Sequence, residues 1–206
     1  MLRTFGTIVA VALLSVGQAS AQEAWVGSGR MEISAFPGGG MAFMESGNGA
    51  EPDFTNFAVG GSLTINLNRW LGGEGELGWA PGIHQRVAFG EQTFDDQHTP
   101  GMFGYNGSMV VSPLGNDHRF VPYLSAGLGG LTMLDIKEVA NLGITTQTTF
   151  LTATTGGGLK WFAGRHWGLR GDYRLFMVKS KDNAPAFFGR QNRYGHRLYG
   201  ALLLTY

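Results

Sequence analysis

The 206-residue sequence contains no cysteine. That excludes disulfides, thiolate metal ligands and a lipoprotein attachment site. Charge of one sign is also missing, with 15 Lys+Arg against 15 Asp+Glu. No basic field exists to attract nucleic acid. Beyond the first 21 residues no stretch offers the ~18 continuous apolar residues of a spanning helix. The glycine runs Gly38-Gly39-Gly40 and Gly156-Gly157-Gly158 lack the Lys-Ser/Thr of a phosphate loop. What is plentiful is glycine, at 34 residues. Helices do not tolerate that much of it in their repeating turns, whereas strands joined by Gly-rich turns do.

Residues 1–21 read as a secretory signal. Arg3 stands near the start, an apolar run extends from Phe5 to Val16, and Ala19 and Ala21 precede Gln22. The run is too short to span a membrane as a helix. Removing it takes away Arg3 and leaves 14 basic against 15 acidic residues. Residues 22–206 show no shift in composition and form one expected domain.

Within that domain, apolar residues recur with a period of two, the signature of half-buried strands. Eight segments carry it: Trp25 to Phe36, Thr55 to Leu67, Trp70 to Ala80, Met102 to Ser112, Phe120 to Leu131, Thr149 to Phe162, Trp167 to Val178 and Arg193 to Tyr206. Short turns centre near Asn68, Asn116 and Gly164, 48 residues apart. Long loops are expected at Pro37 to Asp53, Pro81 to Pro100, Thr132 to Gln147 and Lys179 to Gln191. The last segment puts Leu198, Gly200, Leu202, Leu204 and Tyr206 on one face, with Arg197, Tyr199, Ala201, Leu203 and Thr205 on the other. An open edge there would leave backbone groups unpaired, so it is expected to pair with the first strand and close a barrel.

The faces decide what surrounds that barrel. One face of each strand is apolar, with Trp79, Phe103, Trp161, Trp167 and Tyr206 near strand ends, as in interfacial girdles. The other face collects Arg30, Glu32, Glu74, Glu76, Lys160, Arg170, Asp172, Arg174 and Arg197. Balanced charges within strands are expected to meet each other inside, because buried charges persist only when paired. The third and seventh strands lie opposite one another in an eight-stranded barrel, so Glu74 and Glu76 are expected to meet Arg170 and Arg174. An eight-stranded lumen can be filled by side chains, so no wide pore is expected. The expected fold is thus all-β: an eight-stranded antiparallel up-and-down transmembrane barrel with four long outer loops. A soluble, lipocalin-like barrel is the rival, since one-sided polar strands also occur in water-exposed sheets.

The sequence resembles the small outer-membrane β-barrel family related to the transmembrane domain of outer-membrane protein A. The resemblance rests on the signal, the run from Val121 to Gly130, the run from Gly156 to Phe162, and Gly168-Leu169-Arg170-Gly171-Asp172-Tyr173-Arg174. It implies residence in the cell outer membrane, contact with its lipid, and insertion by the barrel assembly machinery. That machinery reads a terminal strand ending in an aromatic residue, matched here by Leu204 and Tyr206. Gly200 stands one place before the family's usual glycine, whose position Ala201 takes. No peptidoglycan-binding domain follows, so no cell-wall tether is expected. A monomer with a structural or surface-interaction role, and without cofactor or metal, fits this resemblance.

Two other activities have residues to carry them. Some small barrels modify lipid A, and His84 or His98 with Asp95, next to Asp96, would supply an acid–base pair in the second long loop. No serine stands at a spacing that gives a nucleophile beside either histidine. A narrow porin-like channel would instead run through the lumen charges. Met41, Phe43, Met44, Phe54, Val87, Phe89, Phe94, Phe187 and Phe188 fall in the expected loops. They either offer a surface to a ligand or pack on one another above the barrel.

Overall fold

The computed structural model describes residues 29–44, 52–134, 148–181 and 192–206. Among these, the chain forms ten strands: β1 (Met31–Met44), β2 (Pro52–Asn66), β3 (Leu71–Ala80), β4 (His84–Phe89), β5 (Gln92–His98), β6 (Met102–Val111), β7 (Phe120–Met133), β8 (Thr148–Phe162), β9 (Trp167–Val178) and β10 (Arg193–Thr205). Eight of them pair antiparallel in the circular order β1-β2-β3-β6-β7-β8-β9-β10-β1. The seam is the pairing of β1 with β10, where Ala35 lies opposite Leu202 and Glu32 opposite Thr205. Met31 and Tyr206 exchange backbone hydrogen bonds at its end, 3.0 and 2.9 Å long. Closure leaves no free edge in this barrel, the condition for a sheet in lipid.

Several expected boundaries move. The chain does not leave β1 at Pro37 but stays extended to Met44. Proline supplies no N–H to a ladder, and β1 takes it in at a bulge, with register shifts between Ala35 and Gly38 toward β10 and between Phe36 and Gly39 toward β2. The bulge absorbs the irregular residues and lets strand pairing resume. The expected loop from Pro81 to Pro100 contains a hairpin, β4–β5, turned at Gly90, whose φ is +55°. β4 also pairs with the first residues of β2, Asp53 facing Ala88. β7 runs on to Met133, two residues beyond its expected end. The expected signal, residues 1–21, and Phe187 and Phe188 lie outside the described residues, as does the start of the first expected strand at Trp25.

The sidedness follows the alternation. Leu63, Leu169 and Leu202 stand outward, 43%, 46% and 48% exposed, while Glu76 and Arg170 point inward at 5% and 1%. Trp79, Phe103, Trp161, Trp167 and Tyr206 are all on the outer surface. No helix of the described residues is long and apolar enough to cross a membrane, and the outward apolar band is carried by strands alone. At the short-turn end a small buried cluster of Val121, Phe162 and Leu203 closes the interior. At the long-loop end a larger one closes it, including Phe43, Phe54, Val87, Phe150 and Val178.

Candidate functional site

Between the two apolar closures the lumen holds six connected charges and one separate ion pair. Glu74 on β3 stands at the centre. Its Oε2 pairs with Nη1 of Arg170, and its Oε1 with Nη2 of Arg174, both from β9 across the barrel. Thr64 and Ser62 on neighbouring β2 donate to the same Oε2 at 3.0 and 3.4 Å. Asp172, between the two arginines on β9, accepts from Arg170 Nη2 at 2.6 Å and from Arg174 Nε at 3.0 Å. Arg174 reaches onward to Glu76 at 3.3 Å, and Arg197 on β10 meets Glu76 at 2.6 Å. A separate pair, Lys160 and Glu32, stands 2.7 Å apart. All eight of these side chains are buried. The register explains the meeting: β3 and β9 are diametrically opposed in the barrel order, and their inward positions fall at one height.

Arg30 departs from the expectation. It lies one residue before β1 begins, is exposed at the short-turn rim, and takes no part in the network. Alternation assigns it inward, but the barrel wall begins only at Met31. Without Arg30 the interior ion pairs, the separate Lys160–Glu32 pair included, comprise four acidic and four basic side chains. A fifth interior cation, Arg193, is fully buried at the start of β10, in register with Val178.

Sequence reasoning also passed over two tyrosines. Tyr123 donates its hydroxyl to Asp172 and accepts from Arg170 Nε at 2.7 Å, with the Arg170 guanidinium 4.7 Å over its ring. Tyr199 donates to Glu76 at 3.3 Å and stacks on Phe36. Both occupy inward positions of the alternation, which was the signal available. Opposite Tyr123 stands Gly158, where a Cβ would come within 2.6 Å of the tyrosine hydroxyl. Polar groups therefore fill the interior, with Glu32, Glu74, Glu76 and Asp172 each facing a cation. A cavity of about 30 Å³ remains beside Glu76, Arg197, Asn106 and Thr152, room for a water or two.

The residues considered for acid–base chemistry stand on the outer hairpin. His84 on β4 and His98 on β5 are cross-strand partners. His84 Nδ1 lies 3.0 Å from Asp96 Oδ1, whereas Asp95 pairs with Arg86 at 2.5 Å. The expected partnership with Asp95 is therefore corrected to Asp96. The two aspartates share a bulge that turns Asp96 into a positive φ of 56° and points their carboxylates to different neighbours. Among the described residues neither imidazole is hydrogen-bonded to a serine or threonine hydroxyl. Of the loop apolar residues, Met41, Phe43, Phe54 and Val87 are buried together, while Met44 and Phe94 stay exposed. They extend the barrel core above the charged layer.

The family described as outer membrane protein beta-barrel domain matches residues 7–194. No curated protein matches the chain. Among solved structures, the fold is similar to the Neisserial surface protein A, with a TM-score of 0.59 and 13% identity over 87% of this chain and 99% of that one. It is also similar to the N-terminal β-barrel domain of OprF from Pseudomonas aeruginosa, with a TM-score of 0.50 and 16% identity over 86% and 98% of the two chains. At these identities the likeness is one of fold.

Proposed function

Because the chain belongs to the outer membrane protein β-barrel family, we propose that it serves as a closed, non-conducting barrel of the outer membrane whose external end makes surface contacts. On this reading residues 1–21 direct export and are removed. The barrel assembly machinery then reads the terminal strand through Gly200, Leu204 and Tyr206. The mature chain sits in the membrane as a monomer, its short turns toward the periplasm and its long connections outside, as in the general plan of such barrels.

The observation that carries the reading is the position of Glu74, clamped by Arg170 and Arg174 across the lumen between two apolar closures. A permeation path needs continuous water, and here charges are spent on one another. The His84–Asp96 pair is exposed and, among the described residues, makes no hydrogen bond to a serine or threonine hydroxyl, so it lends no support to lipid A modification. The test is single-channel recording of the refolded mature chain in planar bilayers. Silence at voltages that open general porins is the expected result, and steady porin-level conductance would overturn the proposal.

A further inference from the structure

The outer face of the β4–β5 hairpin carries an arrangement the closed barrel does not use. His84 and His98 face each other across the two strands, with ring centroids 4.8 Å apart and planes at 71°. Two imidazoles sharing one ion at metal–nitrogen distances of ~2.1 Å place their centroids roughly 5 Å apart. The carboxylate of Asp96 accepts the Nδ1–H of His84 at 3.0 Å. That contact fixes the tautomer and leaves Nε2 of His84 with a free lone pair, the usual outer support of a metal-binding histidine. On His98 the Nδ1 atom is buried without a hydrogen-bond partner, which leaves Nε2 as the nitrogen available to an ion.

The remaining charges suit a cation. Asp95 takes up Arg86 at 2.5 Å, so that guanidinium is neutralised beside the histidines. The side chains of His84 and Asp96 are 54% and 84% exposed, which gives an ion free entry. We propose that His84 and His98 form a two-imidazole site for a borderline divalent transition metal, Cu²⁺ in preference to Zn²⁺, with Asp96 positioning His84. The preference follows the general order of affinity for nitrogen ligands. Among the described residues no three ligating side chains converge on a point, so water completes the coordination and the ion stays exchangeable. This site does not depend on whether the barrel conducts.

The test uses the mature chain, folded in detergent and free of any polyhistidine tag. Titration calorimetry with Cu²⁺ and Zn²⁺ is expected to give one ion per barrel, and electron paramagnetic resonance of the Cu²⁺ form to show two bound nitrogens. His84→Gln and His98→Gln each weaken binding by at least about tenfold. Asp96→Asn weakens it by about tenfold or more, because asparagine keeps the positive φ while losing the charge. His118→Gln and His166→Gln, in the short turns, leave affinity unchanged. Each variant is checked for folding by its heat-dependent gel mobility. The proposal is overturned if the wild type takes up no stoichiometric ion, if His84→Gln binds normally, or if the His118 or His166 variants alone lose the ion.

Discussion

Lys160 on β8 and Glu32 on β1 meet at 2.7 Å inside the barrel, with side-chain exposures of 1% and 0%. Three strand pairings separate them around the wall, so the contact crosses the interior. Asn66 donates to the other oxygen of Glu32 at 2.8 Å, and the ammonium stands 5.2 Å over the ring of Tyr123. Val121, in register with Lys160, belongs to the buried apolar cluster of Val121, Phe162 and Leu203 at this end of the barrel. Removing one partner leaves the other charge buried without its counter-ion. Lys160→Met alone is therefore expected to cost about 3–5 kcal/mol of folding stability. Combined with Glu32→Gln, most of that loss is expected to return. Urea unfolding of the barrel in vesicles measures both, and a double variant no more stable than the single one would refute the pairing.

Conductance depends on the layers above and below the charges as well as on the charges. Arg174→Ala breaks contacts to Glu74, Glu76 and Asp172 at once. The clusters around Phe43 and Phe150 at one end, and Phe162 and Leu203 at the other, remain in place. The expected outcome is a less stable barrel that is still silent in planar bilayers. A stable open level from this single change would show that the ion network alone is the seal.

Glycines on the two faces should respond differently to a methyl group. At Gly158 a Cβ would lie 2.0 Å from the carbonyl oxygen of Gly171 and 2.6 Å from the Tyr123 hydroxyl. At Gly73, on the outward face of β3, nothing lies within 4 Å. Gly158→Ala is expected to cost about 1–3 kcal/mol through overpacking. Gly73→Ala is expected to be neutral or slightly stabilising, since it lowers the entropy of the unfolded chain. Parallel denaturation curves decide, and equal effects would mean that the interior beside Gly158 has room to spare.

How far the sequence speaks can be judged from particular residues. The charged face was legible because Glu74, Glu76, Arg170, Asp172 and Arg174 occupy alternate positions in strands without proline, where a period of two has one interpretation. Arg30 was misread because alternation gives a direction but not the height at which a wall ends. Pro37 was misread as a strand end because a bulge and a loop start look alike until the partner strands are known. The hairpin β4–β5 was missed for a related reason. Gln92 to His98 carries a single apolar residue, Phe94, and is almost wholly exposed, so no alternation marks it as a strand. The pairing of His84 with Asp96 in place of Asp95 depends on one residue in a positive-φ conformation, which composition does not encode.

The lipid-facing side offers the sharpest contrast with a water-soluble barrel. Leu128, near the middle of β7, and Leu67, at the turn after β2, are 65% and 69% exposed, nearly the same. In water, arginine at either place would change stability by less than about 0.5 kcal/mol, as for ordinary surface substitutions. In a bilayer, depth separates them. Leu128→Arg is expected to cost about 2–4 kcal/mol, while Leu67→Arg costs about 0–1 kcal/mol at the interface. Equilibrium unfolding of both variants in the same vesicles measures the difference directly. Equal costs would mean that the outer band of leucine, tryptophan and tyrosine does not face hydrocarbon. The interior charges would then have to be explained without a surrounding membrane.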